Sequence, residues 1–378
     1  MAGFTLRSPH EVIFGSGTRA KVGGAAALLG RRALLVTGQG AAKRGLVAEF
    51  AALLEQAGLA VSVFDQVEAE PTLGTVERGC AAFLEADCDL VVAVGGGSAL
   101  DVGKAIAALA GLPDAAQHYF STGSEIPGPG HPIIALPTTS GTGAEVTPNS
   151  VLTDPATLEK ASIRGGTLMP AVAIVDPELT LSLPREQTAF SGLDALTQAI
   201  ESYVSIGANV VSHALAEEAT RRLAGSLRLA CEQPDNLPAR EDLALGSLLA
   251  GLALASARLG LVHGLAHPLG ALYHLPHGRL CGWLHPTVMR LNLHAAGAKY
   301  AALARHIGLE PTAAALVEWV EALAHDLGAC GSWRAAGLRE ADFEHIITAT
   351  VASGSSKHNP RPVTPELVRD MLAAFVGE

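Results

Sequence analysis

Several things are scarce in this chain, and each scarcity argues against a class of protein. Its 378 residues carry only 17% charged side chains and 4% aromatics, with 26 Lys and Arg against 37 Asp and Glu. A formal net charge of -11 with no stripe of Lys and Arg argues against nucleic acid or an anionic membrane surface as a partner. The five cysteines, Cys80, Cys88, Cys231, Cys281 and Cys330, are scattered, odd in number and form no CxxC pair. That usage predicts reduced thiols in a cytoplasmic compartment, most of them core fillers. The first residues lack a basic stretch leading into an apolar one, so no secretory signal is expected. No run approaches the roughly twenty uninterrupted apolar residues of a membrane span. The GxGxxG fingerprint of the ordinary dinucleotide fold is missing as well.

What is present is enough apolar residue, 49%, to fill two cores. Residues 3–14 suggest one or two edge strands. A short apolar run at 33–37 ends in Gly38-Gln39-Gly40, and helical periodicity follows over 46–57. Strand 61–64, helix 72–86 and the wholly apolar strand 89–94 come next; the last runs into Gly95-Gly96-Gly97-Ser98 and another helix. Residues 112–131, rich in Pro, Gly, Ser and His, read as a surface excursion. Strand 132–136 leads into Pro137-Thr138-Thr139-Ser140-Gly141-Thr142-Gly143, and 171–176 is the last convincing strand. Beyond Leu183-Pro184 the periodicity is helical to the end. The pattern predicts an α/β domain, doubly wound on a mostly parallel sheet, over residues 1–183, and an all-helical domain over 184–378.

Three glycines between a buried strand and a helix let a ligand approach the backbone. The helix start then offers free N–H groups to a phosphate. Ser98 with Asp101 also suggests a variant capping box. A second Gly-rich loop, PTTSGTG, ends another strand of the same sheet, and two such loops at strand ends predict a dinucleotide site. In the helical half, Asp194 and Gln198 are spaced i, i+4, His263 and His267 repeat that spacing, and His277 follows in a Pro-His-Gly turn. Any one of these is more readily an ordinary helix-face residue. Together, beside a cofactor-type loop, they suit a divalent metal such as Zn²⁺ or Fe²⁺.

The stretches GGGSALDVGKA, PTTSGTGAEVTPNSVLTD, AIVDPELTLSLP, SGLDALTQAIESYVS and HGLAHPLGALYHLPHG resemble the iron-containing (group III) alcohol dehydrogenase family, and the likeness runs from about Val12 through Asn359-Pro360-Arg361. The resemblance implies a dehydroquinate synthase-like fold: a dinucleotide-binding α/β domain followed by an all-α domain. It also implies hydride transfer between NAD(P) and a small alcohol or aldehyde in an interdomain cleft, assisted by a metal. By position it places Gly96, Gly97, Ser98, Asp101, Thr138, Thr139, Thr142, Asn149 and Lys160 around the cofactor. Asp194, Gln198, His263 and His277 become the metal ligands, with His267 beside nicotinamide and substrate as a proton relay. No role falls to His274.

Two departures from the family pattern shape the expectations. Where the family has His, this chain has Gln198, a neutral and poor donor, which predicts a weak, easily stripped Fe or Zn site. Where many NAD-specific members carry Asp, it has Gly38. With Lys43 and Arg44 close behind, that predicts acceptance of NADP(H) alongside NAD(H). Gln198 also raises a metal-independent reductase of the maleylacetate reductase type as the alternative, against which stands Asp194. A lyase of the dehydroquinate synthase kind would need more Lys and Arg near the ligands. The apolar helices favour medium-chain or aromatic aldehydes, and the N-terminal edge strands suggest a possible homodimer.

Overall fold

The computed structural model describes residues 3–113 and 115–377. They form two compact units that part between Leu183 and Pro184, and residues 3–6 group with the helical unit rather than with the sheet.

In the sheet unit the chain runs β1 (Glu11–Phe14), α1 (Val22–Leu29), β2 (Arg32–Gly38), α2 (Gln39–Lys43), α3 (Leu46–Gln56) and β3 (Ala60–Val67). It continues through α4 (Leu73–Glu85), β4 (Leu90–Gly95), α5 (Gly97–Leu109), α6 (Ala116–Thr122) and β5 (Ile133–Pro137). The hairpin β6 (Asn149–Asp154) and β7 (Glu159–Arg164) follows, and β8 (Val172–Val175) closes the unit. The main sheet has the order β1-β8-β5-β4-β2-β3, with every neighbouring pair parallel. Strand residues alternate between two cores: Leu34, Val36, Val91 and Ala93 face one, while Leu35, Val92, Val94 and Ile134 face the other. All of β4 is buried, which is why its sequence is an unbroken apolar run. From β2 the chain winds outward to β3 and then returns to β4 on the opposite side of β2. Strand order reverses there, and Gly38 and Gly95 end the two strands on either side of that switch point.

One expectation about this unit is met and one needs correction. Residues 3–14 supply one edge strand, Glu11–Phe14, paired with β8. The supposed surface excursion at 112–131 contains α6 and sends Tyr119 and Ile126 into the core. Its Pro and Gly content masked a helix too short for periodicity to reveal.

The second unit holds α7 (Arg185–Val204), α8 (Val210–Glu232), α9 (Leu237–Ala257), α10 (Leu261–Tyr273), α11 (His277–His306), α12 (Ala313–Asp326), α13 (Phe343–Ala352) and α14 (Pro365–Gly377), with no strand among its described residues. Helix α7 packs on α8, α9 and α11, and α10 packs on α11 and α13. A Cβ at Gly278 would lie 2.1 Å from the Phe190 carbonyl oxygen, so the first turn of α11 rests directly on the α7 backbone. Among the described residues no single helix is long and apolar enough to cross a membrane.

Candidate active site

The GGGS loop turns from β4 straight into α5, whose N-cap is Gly96, with no side-chain hydrogen bond to the helix start. The capping box expected from Ser98 and Asp101 does not form. Ser98 Oγ donates instead to the Ala69 carbonyl at 2.6 Å. Asp101 pairs with Lys104 at 2.8 Å and accepts from the Val151 N–H at 3.1 Å, tying α5 to β6. Tertiary partners took both side chains, which leaves the N-terminal end of α5, with its positive dipole, to an anion.

The PTTSGTG loop lies against this turn. A Cβ at Gly97 would sit 2.8 Å from Thr142 Oγ1, one at Gly96 would sit 3.5 Å from Thr139 Cγ2, and the Thr138 N–H donates to the Gly95 carbonyl at 2.9 Å. Arg44 donates to Thr138 Oγ1 at 3.2 Å and to Ser182 Oγ at 3.0 Å, whereas Lys43 is exposed. Gly38 ends β2 with no room for more, since a Cβ would meet the Val67 carbonyl oxygen at 2.9 Å. Gly38, Gly96, Gly97, Ser98, Thr138, Thr139 and Thr142 thus gather at or just past the carboxyl ends of β2, β4 and β5. Asn149 and Lys160 lie on the separate hairpin, where the Asn149 carbonyl accepts from Lys104 and Lys160 pairs with Glu70 at 2.5 Å.

In the helical unit three helices deliver a cluster. Asp194 projects from α7, His263 from α10, and His277 with Cys281 from the first two turns of α11. His277 opens α11, with Pro276 as its N-cap, rather than sitting in a turn. Asp194 Oδ1 lies 3.2 Å from His263 Nε2 and 3.7 Å from His277 Nε2. Cys281 Sγ lies 3.6 Å from His277 Nε2 and 3.8 Å from His263 Nε2. Gln198, one turn beyond Asp194, is 3% exposed, and its Oε1 is buried without a hydrogen-bond partner. An orphaned buried acceptor of this kind asks for a donor or a cation. The His267 ring lies 5.4 Å from that of His277. His274 is exposed, caps the end of α10 with a φ of 53°, and stands outside the cluster.

Glu201, two turns beyond Asp194 on α7, was assigned no role on sequence grounds. Its Oε2 lies 2.6 Å from His263 Nδ1 and its Oε1 accepts from the Val262 N–H at 2.8 Å. Asn359 Oδ1 accepts from the Leu261 N–H at 3.2 Å, and the amides of Asn359 and Asn292 exchange hydrogen bonds of 3.0 and 2.8 Å. The N-cap of α10, Gly260, has no side chain, so this carboxylate and amide serve the exposed N–H groups of the first turn. With Nδ1 held by Glu201, the ring of His263 is oriented so that Nε2 faces the cluster.

The electrostatics follow from burial and proximity. Burial alone would raise the Asp194 pKa, but the neighbouring His277 and His263 hold it below the ordinary carboxylate value. Burial alone would lower that of His263, yet Cys281, Asp194 and Glu201 raise it well above the ordinary imidazole value. The Cys281 thiol, fully buried, is pushed up to about 12. His285, hydrogen-bonded to Thr197 at 3.1 Å, is pushed by burial down to about 4 and stays a neutral neighbour. Cys281 also escaped the sequence reading. Its only signal was the i+4 spacing from His277, and a scattered thiol is more often core.

The family model for "Iron-containing alcohol dehydrogenase" matches residues 9–177, and that for "Fe-containing alcohol dehydrogenase family, C-terminal" matches residues 188–376. The chain is 39% identical to the 1,3-propanediol dehydrogenase of Klebsiella pneumoniae over 368 residues, 95% of each chain. With the lactaldehyde reductase of Escherichia coli (strain K12) it shares 38% over 344 residues, 89% of this chain and 90% of the relative. A solved structure of a 1,3-propanediol oxidoreductase superposes with a TM-score of 0.93 at 37% identity, covering 99% of this chain and 100% of that one.

Proposed function

The chain belongs to the iron-containing alcohol dehydrogenase family, and on that premise we propose that it interconverts a small alcohol and its carbonyl compound with a nicotinamide cofactor. Family membership makes it an alcohol/aldehyde oxidoreductase acting on CH–OH groups, and implies NAD(H) and a metal such as iron.

In the oxidising direction the carbinol C–H bond breaks, its hydride goes to the nicotinamide ring, and the hydroxyl proton leaves to a base. The start of α5 binds the pyrophosphate, and the hydroxyls of the PTTSGTG loop orient it. Gly38 brings no carboxylate to the ribose, and the exposed Lys43 can meet a 2′-phosphate, so NADP(H) is accepted beside NAD(H). Arg44, already engaged with Thr138 and Ser182, contributes less to that choice. His267 takes up the alcohol proton and passes it to solvent.

Asp194, His263 and His277 are the side chains that fit a divalent metal, and Gln198 Oε1 is a buried acceptor one turn away. A bound divalent cation supplies Lewis acidity that stabilises negative charge developing on the substrate oxygen. The single observation that carries the reading is the convergence of Asp194, His263 and His277 from three helices onto one point. The relatives' names make short diols and hydroxyaldehydes the first substrates to try, with medium-chain and aromatic aldehydes beside them.

The test is an NAD(P)H-oxidation screen on metal-stripped and metal-reloaded protein. Metal-dependent aldehyde reduction is expected, with both cofactors used. No turnover on any alcohol or aldehyde would overturn the reading. Full activity after stripping would favour the metal-independent alternative raised by Gln198.

A further inference from the structure

We propose that Cys281 is a metal ligand, so that Asp194, His263, His277 and the Cys281 thiolate form a four-donor site that prefers Zn²⁺. The inference deepens the metal reading above and rests on it, zinc being able to expand from four to five ligands when a substrate oxygen arrives.

Cys281 is fully buried, as a core filler would be, but its sulfur faces two imidazole nitrogens. Cys88 and Cys231 are buried too, and among the described residues neither belongs to a comparable cluster. The donor spacing is the stronger argument. A tetrahedral ion with bonds of about 2.3 Å to sulfur and about 2.0–2.1 Å to nitrogen or oxygen sets S and N about 3.6 Å apart, and N and O about 3.3 Å apart. The two S–N edges here are 3.6 and 3.8 Å, and the two N–O edges are 3.2 and 3.7 Å. These four of the six edges suit a tetrahedral ion, and all four donor atoms, carried there by three helices, lie within 4.8 Å of one another.

Charge points the same way. Asp194 is the one carboxylate among the four donors, with Glu201 standing behind His263, and Gln198 offers a neutral oxygen. A thiolate gives the cation a second anionic donor in direct contact. Binding displaces the thiol proton, which goes to solvent. A soft sulfur donor with two imidazoles also favours Zn²⁺ over the oxygen-seeking Mg²⁺ and Mn²⁺. The weak site expected from Gln198 counted only three good donors, and Cys281 supplies the fourth.

Co²⁺ loaded into the full-length protein tests this directly. Wild type should bind one Co²⁺ per chain and show an intense near-ultraviolet thiolate-to-cobalt charge-transfer band. Cys281→Ser should lose the band and hold Zn²⁺ at least about 100-fold more weakly in chelator competition. The exposed Cys330→Ser should keep both. Stoichiometric Co²⁺ without the band in wild type would overturn the ligand assignment and leave the metal centre standing. No Co²⁺ bound by wild type would remove the metal centre and this inference with it. Because the first readout is taken on wild type, a variant that fails to fold cannot obscure the result.

Discussion

In the sheet unit, what is offered to a ligand is largely backbone: the uncapped start of α5 and the glycines of two loops. The polar side chains there are mostly spent on the protein itself, Ser98 on Ala69, Asp101 on Lys104, Lys160 on Glu70. In the helical unit every offered group is a side chain, held by other side chains, at the meeting point of α7, α10 and α11. A backbone site tolerates the loss of neighbouring side chains and is harmed by added bulk. A side-chain site tolerates no loss, because each donor it keeps is oriented by another.

The sharpest way to break that contrast is Asp194→Ala. It should abolish metal retention and lower alcohol oxidation by more than about 100-fold, since it removes the one carboxylate that faces both imidazoles; activity within a few-fold of wild type would end the comparison. Glu201→Gln comes next. It keeps the shape and removes the charge that fixes His263, so metal affinity should fall about 10–100-fold. The readout is chelator competition beside cofactor affinity, and only the first should move; equal losses in both would make Glu201 a purely structural residue. On the other side, Gly97→Val drives a branched carbon into Thr142 and should weaken NAD(H) binding about 10-fold or more, with metal content unchanged. Fluorescence titration of NADH would detect it.

The smallest effect is expected at Gly38, where two variants are needed. Gly38→Ala measures the clash with the Val67 carbonyl, and Gly38→Asp adds the charge. The ratio of NAD(H) to NADP(H) affinity should rise about 10-fold or less in the Asp variant over the Ala variant, through repulsion of a 2′-phosphate. If the two variants discriminate alike, the cofactor proposal fails on its own terms.

The same contrast explains what the sequence revealed. β4 and the turn after it were legible because a strand buried on both faces must be an apolar run, and close backbone contact must be glycine. Asp194, His263 and His277 were legible as motif residues, and their convergence could be expected. Glu201 and Cys281 were not, because their meaning lies in which helix face meets which. An i+7 carboxylate or an i+4 thiol is unremarkable until another helix is laid across it. The capping box at Ser98 failed for a related reason: local spacing allowed it, but Ala69 and Val151 stood closer in space than sequence distance suggested. Helix α6 was hidden by its neighbours' composition, although Tyr119 anchors it in the core.

The amide of Asn359 has a reach that bears on how the chain ages. It holds the first turn of α10 across 98 residues of sequence and locks onto Asn292 from both ends of its own amide group. A chain clipped by a protease, or released early from the ribosome, short of that residue would retain every donor atom of the cluster. It would still lose the partner of the Leu261 N–H, two residues ahead of His263 on the same turn. Loss of the tail would thus loosen the turn that carries His263, although the tail itself supplies none of the donors.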